Sequence, residues 1–596
     1  MQVRNSTTIH PGHLSQPLAT ALTRASEDRA IQKLNLKDVS LFGKTGSALE
    51  NIENRLGWMD SITEMKSKLT EIETFANTVL DDGYAHIVLL GMGGSSLAPE
   101  VFKRTFGMKA GVKSFDILDT TDPQEILTVV EKIELSQTLF IVASKSGKTI
   151  ETLSLAKYFW NLMENSQVDN PGQHFVAITD PGSSLVEMGK RKMFRNVFLN
   201  QPDIGGRYSA LSYFGLVPAA FTGANLKGIL KYAEEEQLNC NDNSYDTNEA
   251  FRMGVLWAVG AERGVDKLTF LATQSLRPFV PWVEQLIAES TGKEGKGVIP
   301  IEGEPIAASN EYGSDRMFVF LVIESDISDD NDSLEILRKE LIAKGAPVID
   351  ITFPGSEWIG AGFYQMEYAT AVAGYQLGIN PFDEPNVQES KDNTAEILQH
   401  YEESGVFPIL ETVECWESLE VTELGAPGTF PPEVLESPQR TLKRFFSSVG
   451  EESYISILLY LPRSKELENA VSDLRASLRN KFGVATTRGY GPRFLHSVGQ
   501  LYKGGPPSGI FIVFAGTDSE RIPIPEVGYN FGQLKSAQTI GDTQALAKRG
   551  LPTMMINLSS DPIGGIDQFR VLIEKTFRDK KPQSKKTSLR KAVATK

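Results

Sequence analysis

Two rhythms alternate along the chain. Short runs of consecutive apolar residues are separated by longer stretches in which apolar side chains recur every three or four positions. The first rhythm suits a strand buried on both faces, the second a helix with one apolar stripe. Strands and helices in alternation predict parallel sheets covered by helices, an α/β fold. One series of strands is predicted at AHIVLL (Ala85 to Leu90), SFDIL (Ser114 to Leu118), TLFIVA (Thr138 to Ala143), HFVAIT (His174 to Thr179) and NVFLN (Asn196 to Asn200). A second series runs through KLTFLA (Lys267 to Ala272), MFVFLVIE (Met317 to Glu324) and PVIDITF (Pro347 to Phe353). A third region holds YISILLYL (Tyr454 to Leu461), GIFIVFAG (Gly509 to Gly516) and TMMINL (Thr553 to Leu558).

These series divide the chain. Residues 1–69 read as a helical segment laid over a domain face, 70–225 as a first α/β unit and 226–423 as a second. Residues 424–577 form a C-terminal α/β region. The Pro-rich words LGAPGTFPPEV (Leu424 to Val434) read as its linker. Residues 578–596 are basic and poor in large apolar side chains, so they cannot bury enough surface to offset chain entropy. A disordered tail is expected there, with binding of an acidic partner as the alternative.

Composition narrows the function classes. A chain of 596 residues exceeds one core and suggests about three to four domains. Its net charge of −16 argues against nucleic acid or an anionic membrane as the main partner. No apolar run approaches the ~18 residues that span a bilayer, and MQVRNSTTIHPGH has no apolar secretory core. The two cysteines, Cys240 and Cys415, have neither metal-site nor disulfide-framework spacing. A cytoplasmic protein without a metal centre is expected.

The candidate chemistry lies where strands end. SKSGKTIET (Ser144 to Thr152) follows an apolar run and opens a helix. Backbone N–H groups at a helix start carry partial positive charge, and Ser144, Ser146 and Thr149 add neutral donors, with Lys145 and Lys148 beside them. A nucleotide P-loop would need glycine where Val142 stands, so a compact phosphate such as that of a sugar monophosphate fits better. A capped helix with a polar loop is the plain alternative. GMGGSS (Gly91 to Ser96) also follows a strand. A dinucleotide fingerprint would place its third glycine at Ser96, so Gly94 and Ser95 suit a sugar or phosphate, or merely a tight βα turn.

Four further segments add reactive groups. In IGGRYSALS (Ile204 to Ser212), Arg207 offers a permanently charged fork suited to an oxyanion; an ordinary surface arginine is the alternative. In PFVPWVEQLIAESTGK, Pro281 starts a helix and Gly292 stops it, and Gln285 and Glu289 share one face. Apolar neighbours suggest a buried carboxylate with a raised pKa, fit for general-base work, unless Glu289 merely forms a salt bridge. Lys391 ends GINPFDEPNVQESK and could be a plain helix charge. Of six histidines, His496 alone sits among glycines and polar residues within a predicted folded region.

Taken together, GMGGSSLAP, SKSGKTIET, GGRYSALS, EQLIAESTGK and GINPFDEPNVQESK stand in the order found in the phosphoglucose isomerase family, which this chain resembles. It is especially similar to the isomerase half of bacterial transaldolase/phosphoglucose-isomerase fusions. The transaldolase half is not expected here, since too few residues precede Gly91 to build its barrel. The resemblance implies two α/β/α sandwiches of the sugar-isomerase type and interconversion of glucose 6-phosphate and fructose 6-phosphate through ring opening and a cis-enediolate. Isomerisation of another phosphosugar, such as mannose 6-phosphate, and non-catalytic phosphosugar sensing are the alternatives. Ser144, Ser146 and Thr149 would hold the phosphate with Lys145 beside them, and Gly94 and Ser95 would line the sugar. Arg207 would steady the enediolate, Glu289 would move the proton, Gln285 would sit beside the phosphate and base, and Lys391 would assist ring opening. No cofactor is implied.

One departure concerns the ring-opening histidine. In the family it falls between the glutamate and the lysine, yet no histidine lies between Glu289 and Lys391. The family's Leu-His-Ser-x-Gly-Gln word stands far downstream as Leu495 to Gln500, which makes His496 the candidate. The family supplies this histidine from a neighbouring subunit, so a homo-oligomer, a dimer in the simplest case, is expected.

Overall fold

The computed structural model describes residues 5–324, 326, 329–408, 414–416, 419–424, 437–558 and 561–578. Nearly all of the expected linker, beyond Leu424, and the tail from residue 579 lie outside the described residues. In chain order the strands are β1 (Ser6–His10), then β2 (His86–Leu90), β3 (Ser114–Leu118), β4 (Thr138–Ala143), β5 (Phe175–Thr179) and β6 (Asn196–Leu199). They continue with β7 (Lys267–Ala272), β8 (Ile299–Ile301), β9 (Arg316–Ile323) and β10 (Val348–Phe353). The last group is β11 (Glu414–Trp416), β12 (Leu419–Leu424), β13 (Tyr454–Tyr460), β14 (Ala485–Tyr490), β15 (Gly509–Gly516) and β16 (Thr553–Leu558).

The first sheet is wholly parallel, in the order β3-β2-β4-β5-β6. Every residue of β2, β4 and β5 is buried, the expected result when helices cover both faces. From β2 the chain turns to β3 on one side and later to β4 on the other. The strand order therefore reverses between β2 and β4. In open α/β sheets the crevice outside such a reversal, at the carboxyl ends of the strands, is where ligands bind. GMGGSS follows β2 and SKSGKT follows β4, so both loops open onto that crevice.

The second sheet runs β1-β10-β9-β7-β8, parallel except for β1. Here the N-terminal segment departs from its expected all-helical form. Ser6–His10 pairs antiparallel with β10, and only the residues after it are mainly helical. Five polar-and-apolar residues on a sheet edge carry too little periodicity to be recognised as a strand, because the edge of β10 supplies their pairing.

The third sheet runs β11-β12-β16-β15-β13-β14, with β13 to β16 parallel and the first two strands antiparallel. One apolar core runs through both of the first two sheets, with Trp58, Trp257 and Trp282 fully buried in it. The third sheet has its own core, yet it is not a separate bead. Phe531, Leu534 and Ala537 pack with Val88, Leu90 and Phe140 of the first sheet, while Leu495 and Leu501 join Ala288, Ile299 and Ile301 of the second unit.

Buried ion pairs complete the seam. Asp119, just beyond β3 and fully buried, receives Arg463 at 2.9 Å and Arg493 at 3.2 Å. Lys535 of the third unit meets Asp122 at 2.7 Å. Among the described residues, no helix is long and apolar enough to cross a membrane.

Candidate active site

The loop after β2 is built for close backbone approach. Gly93 has a φ of 55°, and a Cβ there would meet the carbonyl oxygen of His496 at 2.5 Å. A Cβ on Gly94 would collide with the Gly206 carbonyl. Any larger residue would push apart the two segments that carry His496 and Arg207. Ser95 is buried within the same turn.

The loop after β4 is held by hydrogen bonds of its own. Ser144 Oγ lies 3.0 Å from Thr149 Oγ1, and the Gly147 N–H donates to Ser144 Oγ at 3.2 Å. Ser146 Oγ accepts from the Lys148 N–H at 3.2 Å. The helix Ile150–Asn165 starts directly after Thr149, so the N–H groups of its first turn lie beside these hydroxyls, a combination suited to an anion. Lys145 stands apart from the expected phosphate contact. Its ammonium is taken up by Asp180 and by the Pro202 carbonyl at 2.8 Å.

The helix Val280–Thr291 carries Gln285 and Glu289 one turn apart, both buried. Gln285 Nε2 donates to the His496 carbonyl at 2.7 Å and lies 3.3 Å from Glu289 Oε2. Burial raises the Glu289 carboxyl from the ordinary 4.5 to about 8, against the pull of Arg207. Arg207 is also engaged by other partners. Its Nη1 is 3.5 Å from Glu289 but 3.0 Å from Glu384, its Nη2 donates to the carbonyls of Pro381 and Asp383, and its Nε donates to Ser290 Oγ. Nη1 is thus the part of the guanidinium turned toward the base.

His496 comes from the third unit of the same chain. Its Nε2 lies 3.1 Å from Glu151 Oε1, and Glu151 stands two residues after Thr149. Burial alone would raise the Glu151 carboxyl, but His496 beside it, with a smaller contribution from Lys391, holds it below the usual carboxylate range. Lys391 itself is exposed on the helix Gln388–Ser404.

The candidates therefore form a ring. The Ser144–Thr149 loop leads into Glu151, which meets His496. The His496 carbonyl meets Gln285, Gln285 meets Glu289, Glu289 meets Arg207, and the turn before Arg207 lies against Gly94.

Several members of the site were not singled out in the sequence. Glu151 lies inside a quoted motif, but an acid in the first turn of a helix is ordinarily only favourable to the helix dipole. Lys293, pushed down to about 8 by burial and by the neighbouring charge of Arg207, donates to Asp383 Oδ1 at 2.8 Å and fixes the segment on which Arg207 rests. Glu384 lies in the quoted GINPFDEPNVQESK word, and nothing local to it signals an arginine from 177 positions away. Among the described residues, no group of three or more His, Cys, Asp or Glu side chains is placed to hold a metal ion.

A parallel α/β sheet with hydroxyl-lined loops at its reversal point, and a buried carboxyl beside an arginine, is an arrangement suited to chemistry on a sugar phosphate. The model of the phosphoglucose isomerase family matches residues 25–306 of this chain. A probable glucose-6-phosphate isomerase of Methanococcus maripaludis is 26% identical over 384 residues, covering 59% of this chain and 85% of that protein. A glucose-6-phosphate isomerase of Campylobacter jejuni is 29% identical over 368 residues, covering 54% of this chain and 88% of its own length. The solved structure of a glucose-6-phosphate isomerase from Chlamydia trachomatis shares the fold at a TM-score of 0.52 and 17% identity, over 65% of this chain and 86% of that one. A hypothetical protein from Thermus thermophilus shares it at 0.55 and 23%, over 66% and 99%.

Proposed function

We propose that this chain interconverts glucose 6-phosphate and fructose 6-phosphate, with the residues of the ring in distinct roles. The observation that carries this reading is Glu289: a buried carboxyl with a pKa near 8, set between an amide and a guanidinium.

The sugar phosphate is held by the hydroxyls of Ser144, Ser146 and Thr149 and the start of the following helix. It anchors the substrate without reacting, with Gly94 and Ser95 against the sugar. His496 exchanges a proton with the ring oxygen or its neighbouring hydroxyl and so opens the ring. An ionised Glu151 accepts from Nε2, which leaves the other ring nitrogen to face the substrate. Lys391 lends positive charge at the rim. Glu289 then removes the C2 proton of the open aldose, the electron pair moves onto the C1 oxygen, and the cis-enediolate forms. A proton passes from the C2 hydroxyl to the C1 oxygen, and return of the carbon-bound proton from Glu289 to C1 then gives the ketose. Arg207 Nη1 stabilises the charge that gathers on oxygen, where preorganised donors count most.

His496 in the same chain supplies the ring-opening group without a second copy. A homo-oligomer, with a dimer as its simplest form, remains the expected assembly. The acidic, helix-covered architecture suits a cytoplasmic enzyme.

The test is a coupled assay with fructose 6-phosphate, without added metal, on the wild type and on Glu289→Gln. The variant should still bind substrate and lose at least roughly 10² in turnover, the usual size of a general-base contribution. A wild type inactive on fructose 6-phosphate, or a variant with unchanged turnover, removes this reading.

A further inference from the structure

The third sheet contributes more to the site than His496. Its helix Phe531–Lys548 carries Lys535, Gln538 and Asp542, all buried and spaced to share one face. Lys535 pairs with Asp122 of the first unit, and Asp542 accepts from the Tyr460 hydroxyl. Between these two anchors lies Gln538, 2% exposed. Thr121 Oγ1 donates to Gln538 Oε1 at 2.8 Å. A hydroxyl can donate or accept, so the amide's direction is set at its other end: an ionised Glu151 only accepts, and the Gln538 NH2 group donates to Glu151 Oε1 at 2.7 Å.

The same Oε1 meets His496 Nε2 at 3.1 Å, while Glu151 Oε2 is buried without a hydrogen-bond partner. Both donors therefore fall on one oxygen, and they decide how the carboxylate is turned. We infer that Gln538 is a positioning residue for ring opening: its amide turns Glu151 so that Oε1 presents His496 to the substrate. Gln538 touches neither substrate nor reacting atoms. It supplies a neutral donor, which keeps Glu151 an acceptor and keeps the hydrogen on Nε2. The third unit thus provides both the ring-opening histidine and the brace for its carboxylate, which lies on a different unit.

This inference rests on the isomerase reading and predicts an effect on one step only. Gln538→Met keeps the volume and removes the amide. Gln538→Glu keeps the shape, but its carboxylate cannot donate. Each is compared with the wild type on fructose 6-phosphate and on 5-deoxyfructose 6-phosphate, which lacks the hydroxyl that closes the furanose ring. Both variants should lose about tenfold in kcat on fructose 6-phosphate, the worth of a hydrogen bond to a charged group, with KM held within about twofold. Both should retain turnover of the open-chain analogue. Should either variant prove insoluble, Thr121→Val, which frees the amide to rotate, should produce the same selective loss to a smaller degree. Equal losses on both substrates, or none on either, overturn the positioning role. Glu289→Gln serves as the control: it must abolish turnover of both substrates, and if it does not, the isomerase reading itself fails rather than the role of Gln538.

Discussion

His496 and Glu151 are 345 positions apart in the chain, yet His496 Nε2 lies 3.1 Å from Glu151 Oε1. The contact is made within one polypeptide. The helix carrying Gln285 closes over the other side of the histidine by donating to its main-chain carbonyl. The imidazole is thereby fixed between two units that enclose the crevice of the first sheet.

A site completed by one chain makes a prediction about mixtures. Chains bearing Glu289→Gln and chains bearing His496→Ala each lack one reactive group. Were the histidine donated across a subunit boundary, co-expression would rebuild intact sites. With His496 supplied in the same chain, co-expressed variants should show no more activity than the two measured separately. Recovery well above that sum would place the working histidine in a neighbouring copy.

The elevated pKa of Glu289 sets the pH behaviour. A base must be ionised to act, so kcat/KM should climb as pH passes through about 8 and then level off. Glu384 contributes to the elevation through its negative charge, although half its side chain faces solvent and is screened. Glu384→Gln should therefore move the climb to lower pH. Stability runs the other way. Between 4.5 and about 8 the native carboxyl keeps a proton that the unfolded chain has released. Its contribution to stability is complete below 4.5 and lost as pH rises through about 8. Relative to wild type, Glu289→Gln should thus gain in Tm on going from about pH 6 to about pH 9, where the carboxyl would otherwise ionise in a buried place. A constant difference in Tm, with a flat kcat/KM profile, would contradict both halves of the argument.

The hydroxyl loop should affect binding more than chemistry. Ser144 and Thr149 bond to each other, which holds both hydroxyls in one place, as the proposed phosphate contact needs. Ser144→Ala and Thr149→Val each remove one donor to a charged group, worth roughly 1.5–3 kcal/mol. KM for fructose 6-phosphate should rise by about tenfold or more, with kcat changed far less. A fall in kcat at constant KM would mean that the loop acts on the reacting carbons instead.

Much of this arrangement was legible in the chain. The long apolar runs at Ala85, Thr138, Lys267, Tyr454 and Gly509 mark strands because parallel sheets covered on both faces need unbroken hydrophobicity. Ser144, Arg207, Gln285 and Glu289 could be singled out because each sits in a local pattern: a strand end, a paired glycine, a shared helix face. What stayed hidden depends on long-range pairing. β1 is a strand because β10 has a free edge, and β12 because β16 does. Glu151 and Gln538 look like ordinary helix residues until the third unit docks. Lys145 fits an anion site by position alone, and only the fold brings Asp180 to its ammonium.

That docking depends on Asp119. The residue is fully buried, accepts from Ser96 Oγ at 2.9 Å, and receives both Arg463 and Arg493 from the third unit. Arg493 lies three residues before His496, so the same ion pair that joins the units also fixes the turn that carries the histidine. Two arginines brought together around one carboxylate repel each other once it is removed, with Glu100 left beside Arg493 and Glu125 beside Arg463. Breaking a buried pair by deleting one partner costs about 3–5 kcal/mol. Asp119→Ala should destabilise the protein by that order in denaturant unfolding. Because the damage lies at the seam, turnover of fructose 6-phosphate should fall more than turnover of its open-chain 5-deoxy analogue, the signature of a displaced His496. A variant as stable as wild type, with the ratio of the two rates unchanged, would show that the seam is held by its apolar contacts alone.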